Sequence, residues 1–331
     1  MKFDILPILR LKIKKKFDIS GFSGYFLQTR QGWAKYHKTM NIKDLRQVTV
    51  IGLGLLGSSI TLAISRGNFG IRTVGFSHRD TTRKRARKLD VADIIYNDIL
   101  ESVADADLVI LATPICTFED IFKTIAPALK KGCIVTDVGS TKVLPHNWAK
   151  KCLPSYVNYV GSHPIAGSEQ RGVEFGRDDL FDGAVCIITK DGSTKQSAAA
   201  VTKKFWSLLG CRIYMMAAAE HDKILGNVSH LPHATAAALL NASDANQLKF
   251  CGKGFIDTSR IASGPANIWA DIFFTNSKNI SNGIDKLIKE LVKIKKAVKQ
   301  KDKKQIEKLL ELAREKRAKL IDYKVSRKEI L

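Results

Sequence analysis

Residues 48–51 form a short apolar run, and directly behind it stand Gly52, Gly54 and Gly57, followed from Ser58 by apolar residues at helical spacing. Strand, glycine turn and helix in that order constrain the chain more than any other feature. Glycines at these intervals permit a tight turn, close approach of backbone to a ligand, and close packing of the helix on the strand. The helix then aims its first amides, and the positive end of its dipole, past the turn, which suits the pyrophosphate of a dinucleotide. Gly52, Leu53, Gly54, Leu55, Leu56 and Gly57 are therefore expected to face the phosphates.

Further apolar runs at residues 71–76, 108–112, 133–136, 156–160, 184–188 and 213–216 alternate with helical stretches at 82–89, 118–130 and 195–209. This alternation predicts an α/β domain over residues 46–218, a Rossmann-like, doubly wound, mostly parallel sheet covered on both faces. After Glu220 the strand signals stop. Apolar residues then recur at three and four spacing through 221–241, 269–274, 283–298 and 303–321, so residues 219–331 are expected to be an all-helical domain. Leu287, Leu291, Ile294 and Val298 read as the packed stripe of a helix whose other face is solvated and basic.

The formal net charge of +22 raises the question of nucleic-acid binding. The excess is concentrated in the first 40 residues and in residues 286–319, with no basic motif interleaved with aromatics, so no nucleic-acid partner is expected. Residues 1–45 read as a basic extension, either a disordered arm or, with Met40 as the true start, an untranslated stretch. The six cysteines stand singly, without the spacing of a zinc site. No metal is expected, and free thiols suit the reducing cytoplasm. No apolar run approaches the roughly 20 residues needed to cross a bilayer.

The ends of the predicted strands carry the chemistry, because ligands of such sheets bind at the carboxyl edge. The second strand ends in Ser77, His78 and Arg79 where a carboxylate would hold a ribose hydroxyl; these side chains favour NADP over NAD, although Asp80 pulls the other way. Thr113 and Pro114 follow the fourth strand, and Ser140 follows the fifth, where read alone it is a helix cap. His163, at the end of the sixth run, is placed to take a proton from a substrate hydroxyl near neutral pH. In the helical part, His230 and His233 stand in an apolar helix, and Asp257 precedes Arg260, whose guanidinium fork suits a carboxylate. Packing of His230 and an Asp257–Arg260 ion pair are the plainer reading of these residues.

With GLGLLG, the ATP at 112–114, DVGSTK, GSHPIAGSE, SHLPHA and DTSRIA in this order, the chain from about Val48 onward resembles the prephenate and arogenate dehydrogenase family of tyrosine biosynthesis. The resemblance implies an oxidative decarboxylation in which a ring hydroxyl loses its proton, hydride passes to NAD(P) and carbon dioxide departs as the ring becomes aromatic. It implies His163 as the group that accepts the hydroxyl proton and Ser140 as the residue orienting hydroxyl, base and nicotinamide. Arg260 would bind a substrate carboxylate, positioned by Asp257. His233 would lie near the substrate side chain, and Glu169 and Trp269 at the edge of the site. The helical domains would pair into a homodimer.

Ser77 resembles members that use NADP, many of which prefer arogenate, whereas His233 resembles members acting on prephenate. Prephenate, giving 4-hydroxyphenylpyruvate, is the expected substrate, with NADP-dependent conversion of arogenate to tyrosine as the alternative. Another dehydrogenase of the same two-domain group is the remaining one, but the catalytic lysine usual there has no counterpart.

Overall fold

The computed structural model describes residues 45–167 and 170–327. Apart from Leu45, the basic extension of residues 1–45 and its Met40 start lie outside the described residues. Strand β1 (Gln47–Ile51) is buried along its whole length, as a strand must be when helices cover both faces of a parallel sheet. It pairs in parallel with β2 (Arg72–Phe76) on one side and β4 (Leu108–Leu111) on the other. With β3 (Ile94–Ile95), β5 (Ile134–Asp137) and β6 (Asn158–Tyr159), the strand order is β3-β2-β1-β4-β5-β6. The order reverses between β1 and β4, which opens a crevice at their carboxyl ends.

Helix α1 (Leu55–Gly67) returns from β1 and α2 (Asp80–Lys88) from β2. After these, α3 (Ile99–Val103), α4 (Phe118–Ile125) and α5 (Val143–Cys152) complete the cover. Phe118, Phe122 and Ile125 recur at helical spacing and bury that face of α4 against Val109, Leu111 and Val135 of the sheet.

The later apolar runs do not extend this sheet. Strand β7 (Gly161–Ile165) begins directly after β6, pairs antiparallel with β8 (Val185–Lys190), and β8 pairs in parallel with β9 (Arg212–Ala217) across helix α6 (Gln196–Leu208). The result is a separate three-stranded sheet. Two residues at the end of β5 hold it against the first: Asp137 Oδ1 accepts the Ser162 amide at 3.1 Å, and the Thr136 and Ser162 hydroxyls lie 2.7 Å apart.

From Ala218 every described element is helical. Helix α7 (Ala218–Leu225) continues through a π turn (Gly226–His230) into α8 (Leu231–Asn241). Pro232, at the start of α8, has no amide to donate to the preceding turn, and the widened turn lies just before it. Next come α9 (Lys253–Ser259), a short 3₁₀ turn (Arg260–Ser263), α10 (Ala266–Thr275), α11 (Ser277–Lys299) and α12 (Lys303–Ser326). No described helix is long and apolar enough to cross a membrane. The stripe expected to be packed on α11 is open within one chain, with Leu291, Ile294 and Val298 exposed at 55%, 41% and 57%.

Candidate active site

The glycine turn sits where the carboxyl ends of β1, β2 and β4 meet. The Gly52 amide donates to the Phe76 carbonyl at 2.8 Å, and Ala112 N to the Ile51 carbonyl at 2.7 Å. Gly52 has φ +105°, and a Cβ there would stand 2.6 Å from the Ala112 carbonyl oxygen, so only glycine lets the loop carrying Thr113 and Pro114 lie against the turn. A Cβ on Gly57 would stand 1.9 Å from the Gly52 carbonyl oxygen, which fixes this residue for contact between helix and turn. Beside Gly54 the space is open. Gly54 also caps α1 without a side-chain hydrogen bond, leaving the first amides of the helix for a ligand. This uncapped, open-sided helix end fits a dinucleotide pyrophosphate. Leu53 is a core residue packed near Ala86 and Val91, while Leu55 and Leu56 are half-buried.

At the end of β2, Ser77 is buried and His78 and Arg79 are exposed. The loop is braced by a residue the sequence did not mark: Arg83 donates to the Ser77 carbonyl at 2.6 Å and to the His78 carbonyl at 3.1 Å. Asp80, which pulled toward NAD, lies in the first turn of α2, 2.9 Å from Lys84 and 3.3 Å from Arg83, and its carboxyl is held below the usual range first by the hydrogen bond from Lys84.

The loop after β5 builds the polar heart of the site. Asp137 Oδ2 accepts from the Gly139 amide at 2.8 Å and from Lys142 Nζ in a fully buried ion pair, while its Oδ1 takes the Tyr159 hydroxyl at 2.8 Å. Every lone pair is used, as burial of a carboxylate requires, and removing one partner of such a pair costs about 3–5 kcal/mol. Ser140 is half-buried on this loop and does not cap α5. Lys142 holds the cap position, and the exposed helix end is satisfied from the helical part instead: Asp222 accepts the Lys142 amide at 2.7 Å and the Val143 amide at 2.9 Å.

His163 lies within β7, opposite Ile187, rather than at the end of a sixth parallel strand. The hydrogen bond from Ser162 to Asp137 nevertheless brings it to the carboxyl edge of β5. Its Nδ1 is 2.9 Å from His221 Nε2, and His221 Nδ1 is 2.8 Å from Asp222 Oδ1. Burial, followed by the neighbouring His221, Lys142 and His230, drives the His163 imidazole well below its usual range, so the ring is neutral at neutral pH.

On the helical side, His233 stacks on Trp269 with ring centroids 3.6 Å apart and planes 10° from parallel. Gly264 makes room for this stack, since a Cβ there would stand 2.3 Å from Trp269 Nε1 and 3.1 Å from His233 Cε1. His230 is buried, with Nδ1 3.1 Å from Asn276 Nδ2, and burial pulls its pKa down to about 4. Among the described residues, His230 Nε2 and His233 Nδ1 are enclosed without a hydrogen-bond partner, two polar atoms left for a ligand to satisfy. Arg260 and Asp257 are both exposed, on the 3₁₀ turn and on α9. Glu169 lies outside the described residues.

The sequence assigns no role to Asp137, Lys142, His221 or Asp222, although the first two lie within DVGSTK. A signal for the last two exists: Ala218, His221, Asp222 and Leu225 are the buried residues of α7, at helical spacing, so a histidine and an aspartate occupy core positions of an amphipathic helix.

Residues 60–215 match the family described as prephenate dehydrogenase, nucleotide-binding domain, and residues 217–312 the one described as prephenate dehydrogenase, dimerization domain. A cyclohexadienyl dehydrogenase of Zymomonas mobilis is 32% identical over 264 residues, covering 78% of this chain and 90% of its own. A prephenate dehydrogenase of Bacillus subtilis is 33% identical over 262 residues, covering 77% and 71%. Among solved structures, prephenate dehydrogenase from Aquifex aeolicus in complex with hydroxyphenyl propionate and NAD+ superimposes with a TM-score of 0.78 at 29% identity, over 83% of this chain and 98% of that one.

Proposed function

The chain belongs to the prephenate dehydrogenase family of NAD(P)-dependent enzymes, and on that premise we propose that it converts prephenate to 4-hydroxyphenylpyruvate by oxidative decarboxylation. The observation that carries the reading is the neutral, buried His163, joined through its Nδ1 to His221 at the carboxyl edge of the sheet. A bound nicotinamide dinucleotide supplies the hydride acceptor. His163 takes the proton of the ring hydroxyl through Nε2, and carbon dioxide leaves as the ring becomes aromatic, which makes the conversion irreversible. Ser140, on the loop after β5, orients the hydroxyl.

Arg260 takes a substrate carboxylate as a two-pronged donor, and Asp257 positions it. His233 and Trp269 form the wall for the substrate side chain, their stacked rings held by Gly264. Glu169 acts at the edge of the same site. A neutral His233 leaves the keto acid of prephenate unrepelled, whereas the ammonium group of arogenate calls for an acid beside it. Residues 46–218 serve the cofactor and 219–331 the substrate and subunit pairing. The exposed apolar stripe of α11 is the natural surface for a second copy in a homodimer. His78 and Arg79, exposed beside the ribose position, support NADP over NAD, and the unpaired thiols suit the cytoplasm.

Steady-state rates for the four combinations of prephenate or arogenate with NADP or NAD test this reading. Prephenate with NADP is expected to give the highest kcat/KM. A higher value with arogenate would transfer the assignment to that substrate, and no turnover of either would remove it.

A further inference from the structure

Behind His163 runs a single file of hydrogen bonds whose donors and acceptors can be assigned from one end. Asp222 accepts two backbone amides, Lys142 N at 2.7 Å on Oδ1 and Val143 N at 2.9 Å on Oδ2, and an amide can only donate. The carboxylate therefore offers lone pairs on both oxygens. His221 Nδ1, 2.8 Å from the same Oδ1, must donate to it. A neutral imidazole with its proton on Nδ1 has a lone pair on Nε2, and this atom lies 2.9 Å from His163 Nδ1. His163 Nδ1 must then carry the proton. Its Nε2 has no hydrogen-bond partner among the described residues.

We propose that His221 and Asp222 are positioning residues that fix the tautomer of His163, holding its proton on Nδ1 so that Nε2 keeps a lone pair for the substrate hydroxyl. The assignment rests on the reading of His163 as the base. It matters because an unconstrained imidazole prefers its proton on Nε2, the tautomer that cannot accept one there. The surroundings support neutral rings along the file. His221 is fully buried, and burial outweighs the raising effect of Asp222. Lys142, buried beside the file, disfavours a positive charge on either histidine. The Asp222 end is fixed in turn, because Asn276 Nδ2 donates to the Asp222 carbonyl at 2.7 Å and α5 cannot shed the carboxylate without losing its cap. The file thus ties the base on β7 to both α5 and α7.

The chain has seven histidines, few enough for long-range nitrogen–proton correlation spectra of protein labelled with ¹⁵N-histidine. The signals of His163 are identified by their loss in His163→Gln. In the resting wild-type protein His163 is expected to show a protonated Nδ1 and an unprotonated Nε2. In His221→Phe its proton should move to Nε2, kcat should fall about 100-fold, and the cofactor Kd should stay within about two-fold. His221→Gln, whose amide can donate to Asp222 and accept from His163, should restore the Nδ1 proton and most of the rate.

A wild-type His163 protonated on Nε2 would overturn the proposal, as would His221→Phe retaining kcat within about three-fold. If His221→Phe does not fold, the wild-type and His221→Gln spectra still decide. Because the spectrum of the resting protein needs no turnover, failure of the tautomer assignment is distinguishable from failure of the substrate assignment.

Discussion

The glycine turn and the histidine file are made of different materials. Around Gly52, Gly54 and Gly57 the contacts are made by backbone, and the partners come from the ends of three adjacent parallel strands. Around His163 they are made by side chains drawn from β7, the loop after β5, and helix α7, with 58 residues separating the two hydrogen-bonded histidines. The first depends on side chains being absent at Gly52 and Gly57; the second depends on each side chain present. A turn of the first kind supplies binding, and a cluster of the second kind supplies a particular reaction.

The sharpest separation is expected from His163→Asn, which keeps a polar side chain in β7 but removes the base. Turnover should fall about a thousand-fold with cofactor Kd unchanged within about two-fold. An equal loss of binding and rate would merge the two regions. Next in size is a pair of glycine substitutions. Gly57→Ala forces a Cβ against the Gly52 carbonyl and should lower unfolding stability by about 3 kcal/mol in urea titration. Gly54→Ala meets open space and should leave stability within about 0.5 kcal/mol while weakening cofactor binding about ten-fold. Similar stability for both variants would contradict the division of labour within the turn. The smallest effect belongs to Arg79→Ala, which should raise the KM for NADP about ten-fold, or about 1.4 kcal/mol, and leave that for NAD almost unchanged. Equal effects would take Arg79 out of the phosphate site.

What the sequence made legible follows the same line. The strand, glycine turn and helix were readable because the three glycines stand at fixed local spacing between an apolar run and a helical pattern. The Rossmann-like sheet and the helical region were readable from the switch between apolar runs and three-and-four spacing. His163 was readable as a residue, but its strand was not. A short apolar run does not reveal whether it joins the parallel sheet or pairs with a later strand, and β7 does the latter. Ser140 read alone is a cap for α5 because local reading looks for the cap in the same loop, whereas the acceptor, Asp222, lies 80 residues on. The stripe on α11 reads as a packed face because periodicity shows which residues seek cover and not whether the same chain provides it.

On the proposed function, the two regions together oxidise and decarboxylate a cyclohexadienol acid. Its most direct test is the product balance when purified protein is given limiting prephenate and excess NADP. Equal amounts of reduced nicotinamide, carbon dioxide and 4-hydroxyphenylpyruvate are expected for each prephenate consumed. Reduced nicotinamide formed without carbon dioxide, or neither product formed, would contradict it.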